Sequence, residues 1–318
     1  MIAGPGLRVA SAGEAVVDLT PLGDEVDGLA FRAHLGGSPF NVAVALARLG
    51  VGAGFASCLS TDAFGRRFRD HLRECGASAE LTVDREEPSS LAFVDFQGRD
   101  ARYAFHFVGT ASPQLAPEDL PLERMGELTV FHFGSVALLF EPFRSTVLGI
   151  AEALRSRVLL SFDPNVRPNL VRDWDEYRAL LRHCLQLADI VRLSNEDAEV
   201  CAPDPAALLG GGGPAVIVLT RGAAGSTIHL PGGTETVPAQ PCTPVDTIGA
   251  GDAYTAGLLA ALLARGVTDR GSLERVDAAG WRAAGAFAAT CSAITCERDG
   301  AQFPSLDEVE VRRTTAPG

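Results

Sequence analysis

Short apolar runs alternate with amphipathic segments along most of the chain, which is the pattern of a parallel α/β fold. Strands are predicted at residues 7–12, 54–59, 129–133, 158–162, 190–193 and 216–219. Helices are predicted between them, for example at residues 39–49, 141–156, 173–187 and 253–265. Because strand–helix alternation implies right-handed crossovers, the sequence predicts a mostly parallel sheet covered by helices on both faces.

The helix predicted at residues 39–49 carries signals at both of its ends. Ser38 is a residue type that caps helices, and Pro39 suits the first helical turn. Gly50 suits the position just after the last turn. This helix follows a Gly36–Gly37 pair.

A second pattern interrupts the alternation of strands and helices. Residues 90–96 and 101–107 each alternate between apolar and polar positions around a turn at 97–100. They predict an antiparallel hairpin that stands off the main sheet. Together with residues 16–35, the hairpin would form a small β lid made of about residues 16–35 and 90–108. The alternative is an edge extension of the main sheet with no gating role.

Composition and charge narrow the classes of function. The 318 residues include 47% apolar and 21% charged residues, typical of a packed globular protein, and we expect one domain over 1–318 because no linker divides the chain. The net charge is −13 and all 27 basic residues are Arg, so nucleic acid is not an expected partner. A phosphate site of the kind that depends on a loop Lys is excluded.

Cysteine usage and hydropathy indicate a cytoplasmic protein. Seven Cys occur without any C-x-x-C pair, which argues against a disulfide framework or a zinc site. We see neither a secretory signal in the first residues nor an apolar stretch long enough to span a membrane.

The strongest candidate chemistry lies at residues 246–252, DTIGAGD, directly before a predicted helix. Small residues at that point let backbone N–H groups turn towards an anion, and the helix dipole adds positive potential. Asp252 at the rim of such an anion hole can accept the proton of an attacking hydroxyl. The alternative is that Asp252 caps the helix and that the glycines form a tight turn.

A second motif, GGSPFN at residues 36–41, supplies polar groups suited to a sugar. Two glycines let the backbone approach a ligand closely. Asn41 offers a donor and an acceptor, and Asp18 after the first strand can bind two neighbouring hydroxyls. A G-P-G run at residues 4–6 precedes the first strand instead of following it, which is the wrong context for a dinucleotide-binding fold.

Together, in this order and about 200 residues apart, the motifs resemble the PfkB, or ribokinase-like, carbohydrate kinase family. The similar signatures are GGSPFNVAVALARLG at 36–50 and DTIGAGDAYTAG at 246–257. Within the family the chain looks most like bacterial fructokinases, in the runs SLAFVDF at 90–96, FHFGSVALLFEP at 131–142, DPNVRPNL at 163–170 and LSNEDAE at 193–199.

The resemblance implies a three-layer α/β/α kinase that uses ATP and Mg²⁺ to phosphorylate a small sugar. It implies that Asp252 is the catalytic base beside an anion hole. The anion-hole positions are Gly249, Ala250 and Gly251, and the sugar-binding positions are Asp18, Gly36, Gly37, Asn41 and Asn165. Arg167 matches a position near the phosphate, where a guanidinium can also clamp a phosphoryl oxygen on physical grounds. Its alternative role is a surface salt bridge.

The resemblance also implies nucleotide and metal positions. The ATP-phosphate loop matches Thr220, Gly222 and Gly225, and Ala289 falls where many members carry an Asn near the adenine. Ser194 and Asp197 match the motif that organises Mg²⁺ largely through water, with Glu196 as the rival acidic residue. The monovalent cation site that many members have matches Asp246, the Ile248 carbonyl and Gly300, and K⁺ dependence is a hypothesis.

The identity of the sugar depends on the predicted lid. Its candidate contacts are Tyr103, Phe105, His106 and Phe107. Alternation puts Arg102 on the face opposite Tyr103, which favours a neutral sugar, and fructose is our first choice. The alternatives are a 2-keto-3-deoxygluconate, ribose or nucleoside kinase, or a non-catalytic sugar or nucleotide sensor. A homodimer through the exposed lid edge is a further hypothesis.

Overall fold

The computed structural model describes residues 6–22, 30–97, 100–126, 128–201 and 204–315. Within the strands of these ranges, the side chains at 95–97 and 100–103 lie outside the description. The predicted roles of Tyr103 and Arg102 therefore fall on side chains that are not described.

A large sheet runs through the described part of the chain. Its strands are β1 (Val9–Ala12), β4 (Ala53–Ser60), β5 (Thr82–Arg85), β8 (Val130–Gly134), β9 (Leu159–Asp163), β10 (Ile190–Ser194), β11 (Val216–Thr220), β12 (Ser226–Leu230) and β13 (Gly233–Val237). The order is β13-β12-β11-β10-β9-β8-β1-β4-β5. Neighbours pair in parallel except at β11–β12 and β12–β13. The mostly parallel sheet predicted from the sequence is confirmed.

A smaller sheet is inserted into the chain at two places. Its strands are β2 (Val16–Pro21), β3 (Phe31–Gly36), β6 (Ser90–Gln97) and β7 (Asp100–His106), in the order β3-β2-β6-β7. β6 and β7 form the predicted antiparallel hairpin, and β6 pairs in parallel with β2. The described strands pair with one another and not with the large sheet, so the interpretation as an edge extension is wrong.

Of the described helices, the first five in chain order lie between strands and the last four follow β13. They are α1 (Ser38–Arg48), α2 (Ala63–Cys75), α3 (Phe143–Leu154), α4 (Trp174–Leu187), α5 (Asn195–Cys201), α6 (Ala250–Ala264), α7 (Arg270–Glu274), α8 (Ala278–Cys296) and α9 (Leu306–Thr315). Two large clusters of buried apolar side chains hold these helices on the sheet. Among the described residues, no helix is long and apolar enough to cross a membrane.

Helix α1 begins one residue earlier than the sequence pattern predicts. Its N-cap is Gly37, which has φ 110°, so Ser38 is the first helical residue and makes no capping bond. The prediction that Ser38 caps the helix is wrong, because its hydroxyl has a partner far away in the sequence. Gly50, with φ 78°, follows the helix as predicted.

The carboxyl ends of the parallel strands β1, β8, β9, β10 and β11 meet at one edge of the large sheet. The strand order reverses direction at β1, from which the chain continues to β4 on one side and later to β8 on the other. In open α/β sheets, ligands bind beyond the carboxyl ends of the strands at such a reversal.

Candidate active site

A cavity of about 540 Å³ lies beyond this edge, lined by both sheets and by the start of α6. Its volume is in the range of small-ligand sites. The predicted site residues in its lining are Asp18, Gly37, Asn41, Phe105, Phe107, Asn165, Arg167, Ser194, Glu196, Asp197, Ile248, Gly249, Gly251 and Asp252. Two motifs more than 200 residues apart in the sequence thus converge on one cavity.

Asp252 lies in the first turn of α6, and each of its carboxylate oxygens accepts a hydrogen bond from α1. Ser38 Oγ donates to Oδ1 at 2.6 Å, and Asn41 Nδ2 donates to Oδ2 at 2.8 Å. Burial raises the pKa of Asp252, while these two hydrogen bonds act to lower it. The carboxylate is therefore oriented by neutral donors, which leaves it able to accept a proton.

The start of α6 has the form of an anion site. The N-cap is Gly249, in the left-handed region at φ 75°, and no side chain caps the helix. The alternative role of Asp252 as the helix cap is therefore wrong. Ala250 and Gly251 belong to the first turn, whereas the sequence pattern started the helix at residue 253, because glycine at 249 permits the earlier entry into the helix. Ala250 N donates to the Thr247 carbonyl oxygen at 3.2 Å, while the other N–H groups at the start of a helix and the helix dipole favour an anion here.

Asp18 on β2 projects into the cavity beside Gly36 on β3. A Cβ at Gly36 would lie 2.4 Å from Asp18 Oδ2, so glycine at this position leaves room for the carboxylate. A Cβ at Gly37 would lie 2.2 Å from the Glu14 carbonyl oxygen. Burial raises the pKa of Asp18 to about 7, although the charge of Arg167 acts to lower it.

Two residues with unusual backbone conformations follow neighbouring strands. Ser135 after β8 has φ 62°, and Asn165 after β9 has φ 40°. Asn165 Nδ2 donates to Ser135 Oγ at 3.2 Å, which links the two strand ends. Positive φ is uncommon for residues other than glycine, and strained backbone positions tend to cluster at functional sites.

Arg167 is half-buried at the cavity wall. Its Nη1 donates to the carbonyl oxygens of Asn165 and Val166, at 3.2 and 3.1 Å. Arg167 borders the cavity, and its charge acts on both Asp18 and Asp252. The position fits a group that binds a ligand anion.

Glu14 is a residue of the site that sequence reasoning missed. Its side chain is buried and accepts hydrogen bonds from Ser38 N, Ser135 Oγ and Ala137 N at 3.2, 2.7 and 3.2 Å. Burial raises its pKa, and these bonds act in the opposite direction. Glu14 therefore ties the start of α1 to the end of β8. An isolated acidic residue just after an apolar strand was the signal available in the sequence.

The nucleotide positions predicted from the sequence follow β11. Thr220 ends this strand, and Gly222 and Gly225 have φ 51° and 83° in the loop that joins β11 to β12. Thr220 Oγ1 accepts a hydrogen bond from Arg192 Nη2 at 2.6 Å. Arg192, on β10, is a second cavity residue that sequence reasoning missed, although a charge within the apolar run IVRLS was visible.

The two acidic candidates for Mg²⁺ differ in their surroundings. Asp197 is buried and accepts from Val166 N at 2.8 Å and from Ser194 N at 2.9 Å. Ser194 Oγ in turn accepts from Asp197 N at 3.1 Å. Glu196 is exposed at the cavity wall. In the described part of the chain no three acidic, His or Cys side chains cluster as metal ligands, so the donor set fits an ion held mainly by phosphates and water.

The predicted cation loop comes together around Asp246. Its Oδ1 accepts from Ile248 N and its Oδ2 from Gly300 N, each at 3.0 Å. Gly300, with φ 69°, lies beside His34 of β3. The loop before α6 is therefore fastened to the loop after α8.

Two aromatic side chains at the end of the small sheet, Phe105 of β7 and Phe107 just after that strand, reach one wall of the cavity. Phe105 and Phe107 stack with ring centroids 5.7 Å apart, and both border the cavity. Ala289 is buried in α8, within the core, and is not among the described cavity residues.

The comparison with known families agrees with this arrangement. The model of the pfkB family carbohydrate kinase matches residues 7–308. The chain belongs to the pfkB family. As a family member it is a phosphotransferase that acts on a sugar hydroxyl, so the predicted enzyme class is confirmed and the alternative of a non-catalytic sensor is not supported.

Relatives within the pfkB family include bacterial fructokinases, as predicted. A fructokinase of Klebsiella pneumoniae is 38% identical over 309 residues, which are 94% of this chain and 96% of the relative. The crystal structure of a Xylella fastidiosa fructokinase with bound ATP superposes with a TM-score of 0.88 at 25% identity, covering 97% of this chain and 99% of that one. A Vibrio cholerae O395 fructokinase with fructose, ADP and calcium ion bound gives 0.82 at 27% identity, covering 96% and 98%. The ribokinase-like fold is confirmed.

Proposed function

We propose that this protein is an ATP-dependent fructokinase that transfers the γ-phosphate to a primary hydroxyl of fructose, with Asp252 as the general base. The observation that carries the proposal is the position of Asp252. It lies inside the cavity at the first turn of α6, held by Ser38 and Asn41. Similarity to fructokinases, including solved structures with ATP or with fructose and ADP, supports the choice of substrates.

The sugar is proposed to lie against the small sheet. Asp18 and Asn165 offer hydrogen-bond acceptors and donors there, and the stacked rings of Phe105 and Phe107 offer an apolar wall. A neutral sugar suits this wall. Movement of the small sheet over the bound sugar would exclude water, which otherwise competes as phosphoryl acceptor.

The transfer proceeds in line. Asp252 takes the proton of the attacking hydroxyl, and the hydroxyl oxygen forms the bond to the γ-phosphorus. The bond from the γ-phosphorus to the bridging oxygen breaks, and its electron pair leaves with ADP. The amides of the first turn of α6 and the guanidinium of Arg167 stabilise the charge on the transferred group. Mg²⁺, when bound with ATP, neutralises phosphate charge.

We propose that the two acidic candidates for Mg²⁺, Asp197 and Glu196, have different roles. Asp197 uses both oxygens to bind backbone amides, so it fixes the loop after β9 to the start of α5. Glu196 is exposed to the cavity and is the carboxylate available to the water shell of the ion. The cation loop at Asp246, the homodimer and the cytoplasmic location stay predictions from the sequence.

A coupled ADP-release assay tests the substrate. The purified protein is supplied with ATP, Mg²⁺ and K⁺ and with fructose, tagatose, ribose, 2-keto-3-deoxygluconate or a nucleoside, and a reaction without sugar controls for hydrolysis. We expect the highest kcat/KM with fructose. Turnover confined to another compound would overturn fructose as the substrate, and absence of sugar-dependent turnover would overturn the proposal as a whole.

A further inference from the structure

Arg192 is a buried cation at the centre of the site to which the reaction described above assigns no role. It lies on β10, and only 13% of its side chain is exposed. Burying a guanidinium in a largely apolar strand costs desolvation free energy unless an opposite charge and hydrogen-bond acceptors offset that cost.

The guanidinium makes contacts with three different elements. Nη1 donates to Asp163 Oδ2 at 3.2 Å, and Nη2 donates to Thr220 Oγ1 at 2.6 Å. A Cβ at Gly251 would lie 2.8 Å from each of these two nitrogens, so the fork lies flat against the first turn of α6. Within the described part of the chain, Nε is buried without a hydrogen-bond partner.

The lining of the cavity is acidic, so a bound nucleoside triphosphate needs more than one cationic side chain beside it. The chain has no Lys, and the described lining contains two arginines, Arg167 and Arg192, against five carboxylates. A nucleoside triphosphate brings further negative charge into this acidic cavity. Backbone amides supply only partial charges, so full charges must come from the two guanidinium groups and a metal ion.

The two arginines have different neighbours in the cavity wall. Arg167 follows β9, and its Nη1 donates to the Asn165 carbonyl oxygen at 3.2 Å. Arg192 contacts Thr220, which ends β11 immediately before the loop of Gly222 and Gly225. The start of α6, at Gly251, lies beside Arg192.

We propose that Arg192 binds the β- and γ-phosphate oxygens of ATP from the nucleotide side of the anion site, opposite Arg167. This role rests on the proposed kinase function. As the bond to the bridging oxygen breaks and its electron pair moves to the β-phosphate, Arg192 stabilises the charge on ADP and keeps its own proton. Asp163 and Thr220 hold the fork in place for this contact.

Nucleotide titrations of three variants test the proposal. Calorimetry with Mg²⁺ gives Kd for ADP and for AMP, which lacks the β-phosphate. We expect R192M to weaken ADP by tenfold or more and AMP by less than twofold, and R192K to recover part of the loss. R270M is the matched control, because Arg270 binds Asp189 at 2.9 Å at the opposite end of β10 and should leave both affinities unchanged.

Equal losses for ADP and AMP, or no loss for ADP, would overturn the proposal. R192M leaves the buried carboxylate of Asp163 without its cation, so the double variant D163N/R192M is measured beside it, together with thermal unfolding of each. R192K keeps a positive charge at the site and is the variant expected to unfold least readily. If the wild-type protein binds ADP but phosphorylates no sugar, the fructokinase proposal fails. The loss of ADP affinity in R192M, compared with its loss of AMP affinity, then still decides the role of Arg192.

Discussion

Removing the Ser38 hydroxyl should change the pH dependence of the reaction in a calculable direction. Ser38 Oγ donates a 2.6 Å hydrogen bond to Asp252 Oδ1, and this bond stabilises the ionised carboxylate. Hydrogen bonds to charged groups contribute about 1.5–3 kcal/mol, and about 1.4 kcal/mol corresponds to one pKa unit. Ser38→Ala should therefore raise the pKa of Asp252, and kcat/KM on the acidic limb should fall by roughly ten- to hundredfold.

The direction in which the pH profile shifts follows from the role of Asp252 as the base. Asp252 must be ionised to accept a proton, so activity is lost as pH falls through its pKa. In Ser38→Ala the acidic limb of the kcat/KM profile should move to higher pH, with the largest loss on that limb and little loss on the alkaline plateau. Asp18, whose pKa is raised to about 7, also affects the profiles of the wild type and of Ser38→Ala. The shift is therefore measured as the difference in pH between the acidic limbs of the two proteins.

The assay is the coupled ADP-release reaction followed across pH in buffers of constant ionic strength. Ser161→Ala is a matched control, because it removes a buried hydroxyl that lies 3.0 Å from His132 Nδ1 in the sheet and makes no contact with Asp252. The acidic limb of the kcat/KM profile of Ser161→Ala should coincide with that of the wild type. A Ser38→Ala limb that stays in place, or that moves to lower pH, would refute the reasoning.

Three further predictions concern the cation loop, the assembly and stability. Replacing K⁺ by Na⁺ at constant ionic strength should lower kcat if the loop of Asp246 and Gly300 binds a monovalent cation, and equal rates would count against that site. Light scattering should give the mass of two chains if the small-sheet edges pair, and the mass of one chain would reject the dimer. Asp277→Ala should lower the free energy of unfolding by about 0.5–2 kcal/mol in urea, because Asp277 caps α8 through Gly280 N at 2.7 Å; kcat should not change, and an unchanged free energy would reject the cap's contribution.

The sequence predicted the strands and the two glycine-bearing motifs well, because their signals are local. Apolar runs mark six of the nine described strands of the large sheet, with each bound within two residues of the predicted one, whereas β5, β12 and β13 were not predicted. The hairpin β6–β7 followed from alternation alone. The parallel pairing of β2 with β6 needed the structure, since the two strands are separated by β3, α1, β4, α2 and β5.

What the sequence could not supply are contacts between distant residues. Ser38 fits the local pattern of a helix cap, but its hydroxyl binds a carboxylate 214 positions away. Glu14 and Arg192 each stand alone beside apolar residues, and no spacing rule joins Glu14 to Ser135 or Arg192 to Thr220. Their importance depends on strand order, which brings the carboxyl ends of β1, β8, β9, β10 and β11 together.

The most direct test of the account is the kcat of Asp252→Asn with fructose and ATP. Asn keeps the size of the side chain and removes its basicity, so fructose affinity, measured by calorimetry, should stay within a few-fold of the wild-type value. We predict that kcat falls by about 10²–10⁴-fold, the range for loss of a general base. A loss of less than tenfold in a folded variant would contradict the assignment of Asp252 as the base.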